Sequence, residues 1–391
     1  MADRMAIVHS RVLDGTGAEP LDDGVVLMHE GRFEAVGPAA KVPVPPDAMV
    51  IDAGGRTAMP GIIEGHAHVG GDFKDQRLLR LSLQCGITTV CSVSANLRGI
   101  ALRDAIEQRL VRGGARLLAG CIVNCTNGHV RFRTADGPWE VRKAVREMVA
   151  AGADFIKTAA SGGFYGRHES CASPNYTLEE LTALCDEAHA WGVPVVVHCH
   201  SQPGLGYCLA AGVDQIHHGA FIDEPTVHAI RERGTWFMPT LAVTSQRNIE
   251  GLRDQPWQSE EMAKAHPIHR AGVRLAYRIG VKLCLGDDYP GGPWWRPGER
   301  TMVELAELVA CGLTPIEAIA TIRNTAAAYG RADELGSLEA GKKADLLLVD
   351  GHPDRRIEIL QDPSAIALVI KDGIVEFADD PYRQHVPARE P

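Results

Sequence analysis

Two patterns of hydrophobic and polar positions divide the chain. In the first sixty residues, "MAIVHSRVLDG", "GVVLMHEGRFEAVG" and "AMVIDAGGRTAMPG" are short apolar runs broken by Gly, Asp and Pro, the pattern of short strands and turns. The last part, with "KADLLLVDGH" and "AIALVIKDGIVEFA", reads the same way. The two ends are therefore expected to pair in one small β-sandwich-like domain, residues 1–59 and 334–391. Between them short apolar strand candidates recur: "GII", "GITTVCSV", "ARLLAGCIVN", "DFIKTAA", "VPVVVHCH", "DQIHHG", "TWFMPTLAV" and "VKLCLGDD". Longer amphipathic stretches such as "PWEVRKAVREMVAAGA" and "TLEELTALCDEAHAWG" separate them. Eight strand-then-helix units predict an α/β fold, a (β/α)8 TIM barrel over residues 60–333, slightly longer than the ~250 residues usual for one. Near-continuous apolar strands suit a parallel sheet covered on both faces. A doubly wound open sheet is the alternative architecture.

Composition narrows the function. The chain has 391 residues, 45% of them hydrophobic, and a formal net charge of -10. No basic stripe is present, which argues against a nucleic-acid partner. No apolar run reaches the ~18 residues of a membrane span, and the opening "MADRMAIVHS" carries no leader pattern, so a cytoplasmic protein is expected. None of the ten cysteines forms a CxxC pair, and Cys85, Cys91, Cys121, Cys284 and Cys311 lie in apolar segments, where thiols behave as small hydrophobes. Free cysteines follow. A homo-oligomer is compatible with the fold class.

The polar residues fall at strand ends. His66 and His68, Lys157, His198 and His200, His217 and His218, and Asp287 and Asp288 all close strand candidates. In a barrel those ends share one rim, which carries the chemistry. His66 and His68 are spaced two apart, and on an extended strand both face one side, as two metal ligands would; a surface pair is the bland alternative. Lys157 follows an apolar strand, where burial disfavours its charge. It either pairs with a rim acid or stands neutral and reacts with carbon dioxide to give a carbamate that bridges two metals. His198 and His200 share a side; His218 faces the cavity and His217 the other way. Together they form a nitrogen-rich pocket of the kind zinc accepts. Of Asp287 and Asp288, one faces the cavity, as metal ligand and proton acceptor. His129, in "CTNGHV" after the third strand, is placed to polarise a substrate carbonyl. Tyr289, Trp294 and Trp295 in "YPGGPWWRPG" are candidates to line an apolar pocket, and Tyr165, Arg167 and Arg296 to meet a substrate carboxylate.

In order, "GHAHV", "IKTAASGG", "VVVHCH", "IHHG" and "LGDD" resemble the metal-ligand motifs of the amidohydrolase superfamily. "TNGH", "GLTPIEAIATIRNTAA" and "GSLEAGKKADLLLVDG" resemble its prolidase-like and imidazolonepropionase-like branch, which includes Xaa-Pro and Xaa-Arg dipeptidases; the likeness covers nearly the whole chain. The resemblance implies two divalent ions, zinc by preference, on His66, His68, N6-carboxylysine at Lys157, His198, His218 and Asp288, with Asp288 as catalytic base and His129 and His200 near the substrate. It implies hydrolysis of an amide C–N bond in a small molecule; a dipeptide or an N-acyl amino acid suits the carboxylate contacts named above, and an aryl amide is the third candidate. Two positions depart from the branch. His217 replaces the glutamate of its Glu-His-Gly, and Asp287 the threonine of its Gly-Thr-Asp. A single-metal site on His66, His68, His198 and Asp288 is the fallback if Lys157 is unmodified. The rival functions are a cyclic-amide, carbamate or urea hydrolase and a non-catalytic interaction protein; the complete ligand set disfavours the second.

Overall fold

The computed structural model describes residues 4–166 and 169–387. Five strands come first: β1 (Arg4–Val12), β2 (Leu21–His29), β3 (Arg32–Pro38), β4 (Met49–Asp52) and β5 (Thr57–Pro60). The barrel strands follow: β6 (Ile62–Ala67), β7 (Ile87–Ala95), β8 (Arg116–Asn124), the two-residue β9 (Arg133–Thr134), β10 (Phe155–Ala159), β11 (Val195–Cys199), β12 (Gln215–His218) and β13 (Trp236–Met238). The chain ends with β14 (Leu346–Val349), β15 (Ile366–Lys371) and β16 (Ile374–Ala378).

Both chain ends meet in one mainly antiparallel sheet, in the order β16-β15-β14-β5-β1-β2-β3 with β4 beside β1. The second sheet runs β6-β7-β8-β10-β11-β12-β13, all parallel, with β9 against β8. Every residue of β6, β10, β11 and β12 is buried. That explains the unbroken apolar runs: neither face of these strands meets water, and each buried Val or Ile contributes ~1.5–3 kcal/mol. Helices return the chain between strands, and local signals start them. Thr177 and Glu180 form a capping box at Leu178–Ala190, and Thr314 and Glu317 form another at Pro315–Ala328, which also has proline at its first turn.

The expected eighth strand, "VKLCLGDD", closes the ring without becoming a regular strand. It touches its neighbours through isolated parallel bridges, Phe237 with Leu283 and Ala67 with Tyr289. Two of its backbone donors between those bridges are diverted to side chains: the Leu285 N–H to Thr325 Oγ1 at 2.8 Å, the Asp287 N–H to Glu64 Oε1 at 3.0 Å. Side-chain acceptors thus replace the ladder at the seam. On the opposite floor, buried Arg116 at the start of β8 reaches Asp345 Oδ2 at 2.5 Å and also pairs with Asp372, fastening barrel to sheet. All ten cysteines are free. Among the described residues no helix is long and apolar enough to cross a membrane.

Candidate active site

The parallel strands end on one rim, and their last residues converge. β6 carries His66 to the rim, with His68 just past its end; β10 carries Lys157; β11 carries His198, with His200 just beyond; β12 ends on His218. Asp288 arrives from the closing segment. Its Oδ1 lies 2.8 Å from His68 Nε2 and 3.4 Å from His66 Nε2. The rings of His198, His200 and His218 stand 4.4–4.9 Å apart, centre to centre. Two triads of potential donor atoms result, His66–His68–Asp288 and His198–His200–His218, each with its atoms within 4.8 Å of one another. His200 therefore belongs geometrically with His198 and His218, and not only with the substrate wall expected for it.

The backbone is bent to make this arrangement. His218 has φ 76° and Asp288 φ 67°, a left-handed conformation that costs a non-glycine residue energy and persists where surroundings hold it. The turn at His218 lets two consecutive histidines do different work. The His218 ring reaches Thr240 Oγ1 through Nδ1 at 2.7 Å, and His269 Nε2 donates to the His218 carbonyl at 2.9 Å. His217 lies one layer lower, its Nδ1 2.7 Å from His66 Nδ1.

Lys157 is buried, and its Nζ has no hydrogen-bond partner. Burial lowers its pKa from 10.5 to about 7, with Asp288 offsetting part of the drop. Its charge in turn depresses His66, His198 and His218, after the larger effect of their burial and, at His198 and His218, of neighbouring histidines, and Lys157 lines the same cavity as both triads. The same Asp288 carboxyl, raised by burial, is pulled down to about 2 by the hydrogen bond and charge of His68 and by Arg300. It is an ionised base at neutral pH. Asp287 points away from the cavity. Fully buried, it is raised to about 6 by desolvation against the charge of Arg300 and lies against Glu64 and Thr301.

A cavity of about 670 Å3 opens over these groups, walled by Phe164, Tyr165, Val243, Leu252 and Trp294 among others. His129 lies in its wall, its ring stacked on His198 at 4.1 Å and its Nδ1 2.7 Å from Glu169 Oε2. Burial pushes the Glu169 carboxyl up, and His129 together with the backbone N–H groups of Gly163 and Gly166 more than reverses this.

Three expected substrate contacts fall elsewhere. Tyr289 is buried behind the rim with its hydroxyl on Ser82 Oγ at 3.0 Å, because its backbone, not its ring, is needed there: it pairs with His66 and His68 across the seam. Trp295 is packed under the loop, its Nε1 donating to Asn248 Oδ1 at 3.0 Å and its ring against Arg247 and Arg300. Arg296 is exposed and pairs with Glu299. Arg167 lies outside the described residues. Tyr165 and Trp294 do line the cavity.

Five residues without a place in the sequence reading support the site: Glu64, Glu169, Gln215, His269 and Arg300. Glu64 carried a signal, an acid two residues before His66 within a buried apolar strand. Arg300, which donates through Nη1 to the Asp288 carbonyl at 2.6 Å, comes from the following helix and had none.

A rim with this donor set on a barrel of this topology defines a hydrolase acting on C–N bonds. Residues 57–375 match the amidohydrolase family, and the chain belongs to it. It is 27% identical over 428 aligned positions to the ochratoxinase of Aspergillus niger, covering 95% of this chain and 86% of that protein. It is 26% identical to the imidazolonepropionase of Symbiobacterium thermophilum, covering 91% and 90%. Its fold superposes with a TM-score of 0.85 on a Xaa-Pro dipeptidase with methionine bound in its active site, at 27% identity over 95% of this chain and 99% of the other.

Proposed function

We propose that the protein is a binuclear metal-dependent amidohydrolase that cleaves the amide C–N bond of a dipeptide, an N-acyl amino acid or an aryl amide. The residues present suit a pair of divalent ions. Imidazoles and one carboxylate make up both triads, a donor set that zinc accepts. The observation that carries the reading is the Lys157 amine: buried, without a hydrogen-bond partner and lining the same cavity as both triads, where burial lowers its pKa to about 7. Such an amine attacks carbon dioxide, forms an N–C bond and loses a proton, and the carbamate supplies an anion with two oxygens. His66, His68, Lys157 and Asp288 would hold one ion, and Lys157, His198 and His218 the other, with His200 beside them.

Bound ions of this kind supply a water acidified towards ~7 and draw charge from a carbonyl oxygen. The side chains do the rest. Asp288, ionised at neutral pH, takes the proton from the attacking water and passes it to the leaving nitrogen, which departs badly as an anion. His129, oriented by Glu169, presents its other ring nitrogen to the charge that develops on the carbonyl oxygen. Phe164, Val243, Leu252 and Trp294 exclude water and receive an apolar part of the substrate.

The test is a panel of dipeptides, N-acyl amino acids and aryl amides assayed on protein expressed with zinc and bicarbonate. Turnover of at least one class, lost on chelation and regained with zinc, is the expected result. Exclusive turnover of cyclic amides, carbamates or ureas would move the protein to that reading, and a metal-free preparation of full activity would overturn the proposal.

A further inference from the structure

The hydrogen bonds beneath His66 run in one direction, and that direction can be read from the chain itself. Gln215 is fully buried, and its Nε2 donates to the backbone carbonyl of Ala328 at 2.8 Å. A carbonyl oxygen only accepts, so the amide orientation is fixed, and Gln215 Oε1 must be an acceptor for the remaining neighbour. That neighbour is His217 Nε2, at 3.2 Å. His217 Nε2 therefore carries a hydrogen. The ring is fully buried and its two nitrogens meet the Gln215 amide oxygen and the His66 ring, neither of them an anion that could balance a second N–H, so Nδ1 is a bare acceptor. His66 Nδ1 lies 2.7 Å away and must donate to it. A neutral His66 with its hydrogen on Nδ1 has its lone pair on Nε2, the atom facing Asp288 Oδ1 at 3.4 Å.

We infer that Gln215 and His217 are positioning residues: through the order Ala328 carbonyl, Gln215, His217, His66, they fix the tautomer of His66 so that Nε2 is the metal-binding nitrogen. An imidazole ligand is commonly oriented by an acceptor for its second nitrogen, usually a carboxylate or a carbonyl. Here the acceptor is a neutral imidazole whose own tautomer is set two residues earlier on the same strand. The i, i+2 spacing of Gln215 and His217 on β12 puts both on one side. Because the acceptor is neutral, it leaves His66 a weaker electron donor than a carboxylate would. The Ala328 carbonyl at the far end belongs to the last residue of the helix Pro315–Ala328. That is one of the helix-end carbonyls without an intrahelical partner, so the relay also satisfies an otherwise unpaired buried group.

The inference rests on the proposed metal site for its consequence but not for its first test. In the full-length, metal-free protein labelled with 15N histidine, His66 is expected to show a protonated Nδ1 and an unprotonated Nε2, and His217 the reverse. The opposite tautomers, or two interconverting ones, would overturn the relay whatever the protein binds. The consequence is read in metal affinity by competition with a chelator. In Gln215→Leu, which cannot orient His217, zinc at this site is expected to bind ~10-fold or more weakly, and Gln215→Glu, which still accepts from His217 Nε2, to recover part of the loss. His217→Glu, which places a carboxylate against His66 Nδ1, is expected to bind zinc more tightly than the natural protein. Equal affinity across the three variants, with unchanged melting behaviour, would leave His66 indifferent to its support and end the proposal. If wild-type protein binds no metal while the tautomers are as stated, the relay stands and the metal reading fails.

Discussion

One carboxylate oxygen of Glu64 holds Asp287: Oε1 accepts the Asp287 N–H at 3.0 Å while also accepting the His66 N–H at 2.7 Å. The first and last segments of the barrel are thereby tied one layer below the histidine-rich rim. The Glu64 side chain is fully buried, and burial, followed by the Asp287 charge, pushes its carboxyl well up. Two adjacent buried carboxyls beside one arginine do not both ionise, so the pair holds a proton at neutral pH. The two aspartates part here: Asp287 closes the seam, and Asp288 faces the cavity.

Removing this clasp should cost stability. Glu64→Ala leaves two buried N–H groups without acceptors and opens a small void, a loss of ~3–5 kcal/mol. Glu64→Gln keeps a carbonyl oxygen for both donors and should melt close to wild type. Calorimetry on the metal-free proteins separates the two; an alanine variant as stable as the glutamine variant would show that the seam is held by other contacts.

Lys157 should be indispensable for metal content and not for folding. Lys157→Ala removes the amine on which the proposed bridging carbamate would form, so bound zinc is expected to fall and activity to drop by ~100-fold or more. Short carboxylic acids added to this variant should restore part of both, because the cavity left behind is sized for a carboxylate on a short stem. Full zinc content and activity in the unrescued variant would contradict the carbamate.

The pH dependence of carbamate formation follows from the amine. The folded pKa of Lys157 is lowered to about 7, so the group is an unreactive ammonium below that pH and a free amine above it. Reactivation of metal-free protein by zinc at fixed dissolved carbon dioxide should therefore accelerate through pH 7 and then level off. Linkage gives the matching sign: between the folded pKa and 10.5 the unfolded chain binds the extra proton, so metal-free protein should gain stability as pH rises there. A reactivation rate that climbs only near the ordinary lysine pKa would place the amine in water instead.

Much of this was legible in the sequence because barrels align chemistry with strand ends. His66, His68, Lys157, His198, His218 and Asp288 each lie in or just after an apolar run, but period-two alternation turned His217 away from the cavity, whereas the left-handed turn at His218 leaves both rings against His66. What escaped depends on contacts between distant segments. Glu169 reaches His129 from a loop with no periodicity, and His269 reaches the His218 carbonyl from the middle of the long helix Pro256–Ile279. Aromatic residues in "YPGGPWWRPG" looked equivalent by composition. Only packing separates Trp294, whose ring lines the cavity, from Tyr289 and Trp295, which are buried away from it. The eighth strand was visible as an apolar run, but its irregularity was not, since side chains from Glu64 and Thr325 take its backbone donors.

Glu169 should matter to turnover more than to binding. Its carboxylate accepts from His129 Nδ1, which leaves Nε2 as the ring nitrogen free for the substrate in the proposed reaction. Glu169→Gln keeps the size and loses the charge that steadies His129 as the carbonyl oxygen gains negative charge. A fall in kcat of ~10–100-fold with KM little changed is expected, the signature of an interaction strengthened in the transition state. A rise in KM alone would instead make Glu169 part of the binding wall.

Trp294 offers the sharpest test of what fills the cavity. Its Nε1 donates to Asn248 Oδ1 at 3.2 Å, so its polar atom is satisfied inside the protein and its ring is left for apolar contact. Phe164, Val243 and Leu252 line the same cavity. A substrate with an aryl or large aliphatic group gains by burying it there, whereas a short acyl group reaches little of this wall. Trp294→Ala should thus lower kcat/KM for an aryl amide by ~10–100-fold, since an aromatic contact of this size is worth roughly 1.5–3 kcal/mol, and should leave a small N-acetyl substrate nearly unaffected. The comparison must be made within one variant, because both substrates then share any disturbance of the loop carrying Trp294. Equal losses for the two substrates would assign the ring to holding that loop over the site, and a selective loss for the small substrate would place the apolar group elsewhere on the rim.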